Sequence, residues 1–149
     1  MNNGDHFILL VEDNPNDVML LQRAITRSGL DLPHQTVEDG DAAVRYLAGE
    51  GEFTDRTAHP PPTLVLMDLK LPRRSGFEIL AWLRAQPGLQ RLPVIVFSSS
   101  DQPADIHRAY ELGANSYLVK PVRFEELEDI LRALHAYWFH FNRAPETAR

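Results

Sequence analysis

Leu64-Val65-Leu66-Met67-Asp68-Leu69-Lys70-Leu71-Pro72 passes from four consecutive apolar residues to a single aspartate and then into a turn. A strand that is apolar on both parities is one covered on both faces, so residues 64–67 belong in the middle of a parallel sheet. Three further apolar runs end in the same way. Residues 7–11 end on Glu12-Asp13, residues 94–97 on Ser98, and residues 116–119 on Lys120. In an open parallel sheet ligands collect outside the carboxyl ends of the strands, so two acids, a lone aspartate, a hydroxyl and an ammonium would converge in one crevice. Groups of that kind suit a metal ion and a phosphoryl group.

Working outward, helix-spaced segments alternate with these strands. Val18, Leu21 and Ile25 predict a helix over about residues 16–28, with Gly29 as its stop. Asp41 opens a second, through Ala42, Val44, Leu47 and Ala48. A third spans about residues 76–86 and buries Phe77, Leu80 and Trp82 or Leu83. The fourth runs from Asp101 or Pro103 to Leu112, and a last one starts near Arg123. Residues 34–37 form a short, half-polar strand with the character of a sheet edge. The loop over residues 49–62 closes on Pro60-Pro61-Pro62, which can neither continue a helix nor pair in a sheet. The alternation indicates an α/β architecture with a mostly parallel sheet. No repeat or linker interrupts it, so the 149 residues read as a single domain with a short tail from residue 142.

A net charge of −6 with no basic stripe argues against a nucleic-acid role, and the absence of cysteine excludes disulfides and thiolate metal sites. The first six residues carry no lysine or arginine, unlike a secretory signal, and no apolar run approaches the ~20 residues that span a bilayer. The expectation is a cytoplasmic protein that engages neither nucleic acid nor membrane. The six histidines show no metal-ligand spacing tied to an acidic partner.

Asp68 at the end of its strand can act as a nucleophile toward phosphorus, although a lone strand-end aspartate is also a common turn former. Glu12 and Asp13 add negative charge beside it, and like charges that close require a cation. Carboxylate and carbonyl oxygens select Mg²⁺ rather than zinc. Taken alone, Asp13 serves equally well as a helix cap. Ser98 and Lys120 can each contact a phosphoryl oxygen, and Pro121 constrains the turn in which the lysine leaves its strand.

Taken together, Leu10-Val11-Glu12-Asp13-Asn14, Met67-Asp68-Leu69-Lys70-Leu71-Pro72 with Gly76, Ser98-Ser99 and Lys120-Pro121 resemble a response-regulator receiver domain of two-component signalling, over about residues 5–135. The resemblance implies a doubly wound, five-stranded parallel sheet of flavodoxin-like order 2-1-3-4-5, with helices on both faces. It implies Asp68 as phosphoacceptor, Glu12, Asp13 and the Lys70 carbonyl as partners of Asp68 in holding Mg²⁺, Lys120 on the phosphoryl group, and Ser98 with Tyr117 as the switch. A sensor histidine kinase would be the phosphodonor, and the protein would catalyse only its own phosphorylation and dephosphorylation. Two other readings compete with this one. A haloacid-dehalogenase-like phosphatase carries a second aspartate two residues after its nucleophile, where this chain has Lys70. A pseudo-receiver would have no need of Glu12, Asp13, Asp68, Ser98 and Lys120 together.

In the last helix Leu127, Leu131, Leu134, Trp138 and Phe141 recur at intervals of four, three, four and three, which predicts one α-helical seam of ~28 Å from residue 123 to 141. Its distal aromatics, Tyr137, Trp138, Phe139 and Phe141, would then fold back or meet another surface. With the long loop before the third strand, this extension over about residues 136–149 is similar to that of regulators paired with bacterial and cyanobacterial phytochromes. That narrower likeness implies a phytochrome-type kinase partner and a homodimer formed through this end.

Overall fold

The computed structural model describes residues 6–145; the expected domain start at residue 5 and the end of the tail beyond 145 lie outside the described residues. Five strands, β1 (Ile8–Val11), β2 (His34–Val37), β3 (Leu64–Met67), β4 (Val94–Ser98) and β5 (Ser116–Val119), form one sheet in the order β2-β1-β3-β4-β5, with every pair parallel. Helices α1 (Pro15–Ser28), α2 (Gly40–Ala48), α3 (Gly76–Ala85), α4 (Pro103–Glu111) and α5 (Phe124–Leu134) accompany it.

Strand periodicity divides the core into two layers, because successive side chains point to opposite faces. Leu9, Val11, Val65, Met67, Val94 and Val96 pack with α2, α3 and α4 through Tyr46, Leu80 and Ala109 among others. Ile8, Leu10, Leu64, Leu66, Ile95 and Phe97 pack on the opposite face with Leu21 and Ala24 of α1 and Leu127 and Leu131 of α5. Burying each of these large aliphatic side chains contributes about 1.5–3 kcal/mol. Strand β2, which does lie at an edge, buries fully only Val37.

Helix starts are set by caps that displace the expected boundaries by a residue. The Asn14 side chain accepts from the amides of Asn16 and Asp17, so α1 begins at Pro15, and Asp13 does not serve as its N-cap. Asp39 accepts from the Ala42 amide and starts α2 at Gly40, ahead of Asp41. The 49–62 connection is packed rather than open: a 3₁₀ turn at Gly51–Phe53 buries Phe53 against Tyr46, whose hydroxyl donates to the Pro60 carbonyl at 2.9 Å.

The C-terminal helix departs from the predicted seam. After α5 the chain widens into a π-helical turn, His135–Phe141. Each π residue rotates by about 80° instead of 100°, so Phe139 lands within about 20° of Leu131 while Phe141 is carried about 140° away. Phe139 is therefore buried, stacked on His6 at 4.5 Å, while Phe141 is 75% exposed. The expected place of Phe141 on the seam, near the line of Leu134, and the expected availability of Phe139 to a partner are both corrected by this change of pitch. Among the described residues no helix is long and apolar enough to cross a membrane.

His135, His140, His6 and Asp31 surround the π turn. Burial, reinforced by the neighbouring His140 and His6 and opposed by Asp31, holds the His135 imidazole below the ordinary histidine value of 6.5. The stability that a neutral His135 contributes is complete above that unfolded value and is lost as pH falls through the folded one. Urea-unfolding stability is expected to decline on acidification from pH 7 to pH 5, and to decline less steeply in His135→Gln.

Candidate functional site

Strand register brings the candidate residues together. Val11 pairs with Met67, which sets Glu12 beside Asp68 immediately past the strand ends, and Ser98 pairs with Val119, one residue before Lys120. Backbone hydrogen bonds continue the sheet through the site: the Asp68 amide donates to the Val11 carbonyl at 3.0 Å and the Lys120 amide to the Ser98 carbonyl at 2.8 Å. The adjoining turn is tight. A Cβ on Gly76 would stand 2.5 Å from the Asp68 carbonyl oxygen, and one on Gly40 would stand 1.9 Å from that of Arg74, so both close approaches require glycine.

Lys120 is the centre of charge. Its Nζ lies 2.7 Å from Glu12 Oε1, 2.7 Å from Asp17 Oδ2 and 2.8 Å from Asp68 Oδ2. Burial alone would push the ammonium down, but hydrogen bonds to Asp17, Asp68 and Glu12 outweigh it and hold the group above the ordinary lysine range. Burial pushes the Glu12 carboxyl up, opposed by Lys120 and by the Asn14 amide, which donates to Glu12 Oε2 at 3.1 Å. Asp68 is 8% exposed, and its second oxygen accepts from the Leu69 amide at 2.7 Å.

Glu12, Asp13 and Asp68 each present a carboxylate oxygen within 4.8 Å of the others, with Asp13 exposed toward the mouth of the crevice. Three hard oxygen donors that converge this closely fit Mg²⁺ or Mn²⁺. Lys70 occupies the exposed turn two residues beyond Asp68.

On the other side Ser98 is 1% exposed and its Oγ accepts from the Ser100 amide at 3.2 Å. The Ser100 carbonyl accepts from the Tyr117 hydroxyl at 2.7 Å, so two hydrogen bonds connect the buried serine to the half-buried tyrosine of β5. The bond between Lys120 and Pro121 is trans, since no peptide among the described residues is cis.

Five side chains expected at the site from sequence, Glu12, Asp13, Asp68, Ser98 and Lys120, stand at the same end of the sheet. Asp17 and Ser100 were missed. Asp17 lies in the first turn of α1, where an acid is favoured by the helix dipole whatever its function, so its residue type carries no separate signal.

A family model for the response regulator receiver domain matches residues 8–132. The chain is 38% identical over 141 residues to the probable methanogenesis regulatory protein FilR2 of Methanothrix harundinacea, covering 95% of this chain and 88% of that protein. It is 35% identical over 136 residues to the response regulator Rcp1 of Synechocystis sp., covering 91% and 90%. The crystal structure of Mn²⁺-bound Rcp1 matches with a TM-score of 0.82 at 34% identity, over 95% of this chain and 99% of that one. That of the phosphorylated cyanobacterial phytochrome response regulator RcpA matches with a TM-score of 0.85 at 36% identity, over the same shares.

Proposed function

The chain belongs to the response-regulator receiver family of two-component signalling, and on that footing we propose that Asp68 accepts a phosphoryl group from a sensor histidine kinase in the cytoplasm. An Asp68 carboxylate oxygen attacks phosphorus, the phosphorus–nitrogen bond of the donor phosphohistidine breaks, and the departing imidazole takes up a proton. Glu12, Asp13 and Asp68, with the Lys70 carbonyl, would hold Mg²⁺. When bound, the cation supplies charge neutralisation for the incoming phosphoryl oxygens. Lys120 donates to one of those oxygens and Ser98 to another.

The observation that carries this reading is the meeting of Asp68 with Lys120 at 2.8 Å and with two further carboxylates at the mouth of the same crevice. Incubation with radiolabelled acetyl phosphate and Mg²⁺ tests it. The expected outcome is a base-labile label that appears only with the divalent cation, and, after borohydride reduction has released the phosphate, homoserine in place of Asp68. Labelling at any other residue would overturn the assignment.

The hydrogen bonds from Ser100 to Ser98 and from Tyr117 to Ser100 supply a route for the switch. As Ser98 turns toward the phosphoryl group, the Ser100 segment is re-aimed and Tyr117 moves with it, changing the surface of α4 and β5.

The likeness to RcpA, a phytochrome response regulator, supports a phytochrome-type kinase as the partner. A homodimer through the C-terminal end is supported by the exposure of Tyr137 and Phe141, the first of them beside the open edge of β5. A groove there of about 460 Å³ is lined by Ile95, Leu118, Ile130, Leu134 and Trp138. Light scattering of Trp138→Ala/Phe141→Ala is expected to show monomers at concentrations where the wild type associates, with Kd raised about a hundredfold. An unchanged mass would remove these aromatics from any interface.

A further inference from the structure

We propose that Asp17 is a positioning residue of the phosphoryl site, holding the Lys120 ammonium in place while the other two partners of that ammonium are given up; the inference rests on Asp68 being the phosphoacceptor. A lysine ammonium has three N–H donors. All three face carboxylates, with Glu12, Asp17 and Asp68 each within 2.8 Å of Nζ. A phosphoryl oxygen therefore finds no free donor on Lys120, and at least one existing bond must be exchanged for it.

The three acceptors differ in what the reaction asks of them. Asp68 loses its carboxylate charge when the acyl phosphate forms. Glu12 belongs, with Asp13 and Asp68, to the trio whose oxygens lie within 4.8 Å of one another, and a bound cation draws its oxygens away from the ammonium. Asp17 stands outside that trio and keeps its charge throughout. Its bond to Lys120 is the one that both the resting and the phosphorylated site can retain.

Asp17 is also held where an anchor should be. It lies in the first turn of α1, and its amide donates to the capping Asn14 side chain at 3.3 Å, so its backbone is set by the helix and not by the reacting groups. The Lys120 amide is fixed in turn to the Ser98 carbonyl. With one end of the bridge on α1 and the other bonded through its amide to the last residue of β4, a flexible four-carbon stem is confined to one approach to the phosphoryl oxygens. Asp17, Lys120 and Pro121 line a cleft of about 120 Å³ whose other walls are Leu20, Phe97, Phe124 and the cationic Arg123, so Asp17 is the one acidic residue that lines it.

The composition makes the test direct, because the chain has only two lysines and Lys70 is exposed. In protein labelled with ¹⁵N-lysine, Lys70→Arg leaves Lys120 as the only side-chain ammonium. Asp17→Asn in that background is expected to speed hydrogen exchange of the Lys120 ammonium with water about tenfold, in the unphosphorylated protein. It is also expected to slow the initial rate of phosphorylation by acetyl phosphate about tenfold, and Asp17→Glu should recover part of both. Exchange within twofold of the starting protein, an unchanged phosphorylation rate, or no recovery by Asp17→Glu would each overturn the proposal. The ammonium measurement needs no phosphoryl transfer. Labelling that persists in Asp68→Asn would therefore overturn the phosphoacceptor assignment separately, without altering the Lys120 exchange result.

Discussion

Asp68→Asn is expected to eliminate phosphorylation and, in the absence of divalent cation, to make the protein more stable by about 1 kcal/mol. Both effects follow from the same arrangement. Glu12, Asp17 and Asp68 all bond the Lys120 ammonium, Asp13 adds a third carboxylate beside Glu12 and Asp68, and Glu12 and Asp68 are nearly inaccessible to water. Burial and the charge of Asp68 both act to raise the Glu12 carboxyl. Replacing Asp68 by the isosteric amide removes one repelling charge while keeping an oxygen that can accept from the Leu69 amide. Saturating Mg²⁺ should reverse the order. The wild type, with three carboxylates for the ion, gains about 2.7 kcal/mol at a hundred times its Kd, whereas the variant has lost one of those ligands. Urea unfolding in EDTA and again in Mg²⁺, alongside acetyl phosphate labelling, measures both effects. Stoichiometric labelling of the variant, or a stability order that does not change with Mg²⁺, would contradict this account of the crevice.

The parts of this site that could be read from sequence are those that terminate a strand. An apolar run that stops at a charged or hydroxyl residue marks both the strand end and the group presented there, and parallel topology does the rest. Glu12, Asp68, Ser98 and Lys120 all obey that rule, and β2 announced its edge position by being half polar. Asp17 does not, because it reaches the crevice from the first turn of a helix and its bond to Lys120 spans 103 positions in sequence. No local pattern distinguishes it from any other first-turn acid. Ser100 is similarly hidden: it acts through its backbone amide and carbonyl, which every residue possesses. The loop over residues 49–62 was legible as a break and not as a packed turn, since the burial of Phe53 depends on Tyr46 and Pro60 coming together in space.

At the C-terminal end the sequence pattern was misleading, and this leads to the second large effect. A 3.6-residue period places Phe141 near the line of Leu134 and turns Phe139 off the seam. The π turn does the opposite, burying Phe139 with His6 and the α1–α5 layer and leaving Phe141 in solvent. Phe139→Ala is accordingly expected to cost about 3–4 kcal/mol in urea unfolding, the loss of a buried ring together with the cavity it leaves. Phe141→Ala should change monomer stability by less than about 0.5 kcal/mol, as for a largely exposed side chain. If the helix instead kept its α pitch to residue 141, Phe139 would not be the costlier loss, because Phe141 would then lie near the line of Leu134 and Phe139 off the seam. A large inequality in favour of Phe139 therefore reports the pitch itself. It also separates the aromatic that closes the core from those, Tyr137 and Phe141, left free to meet another molecule.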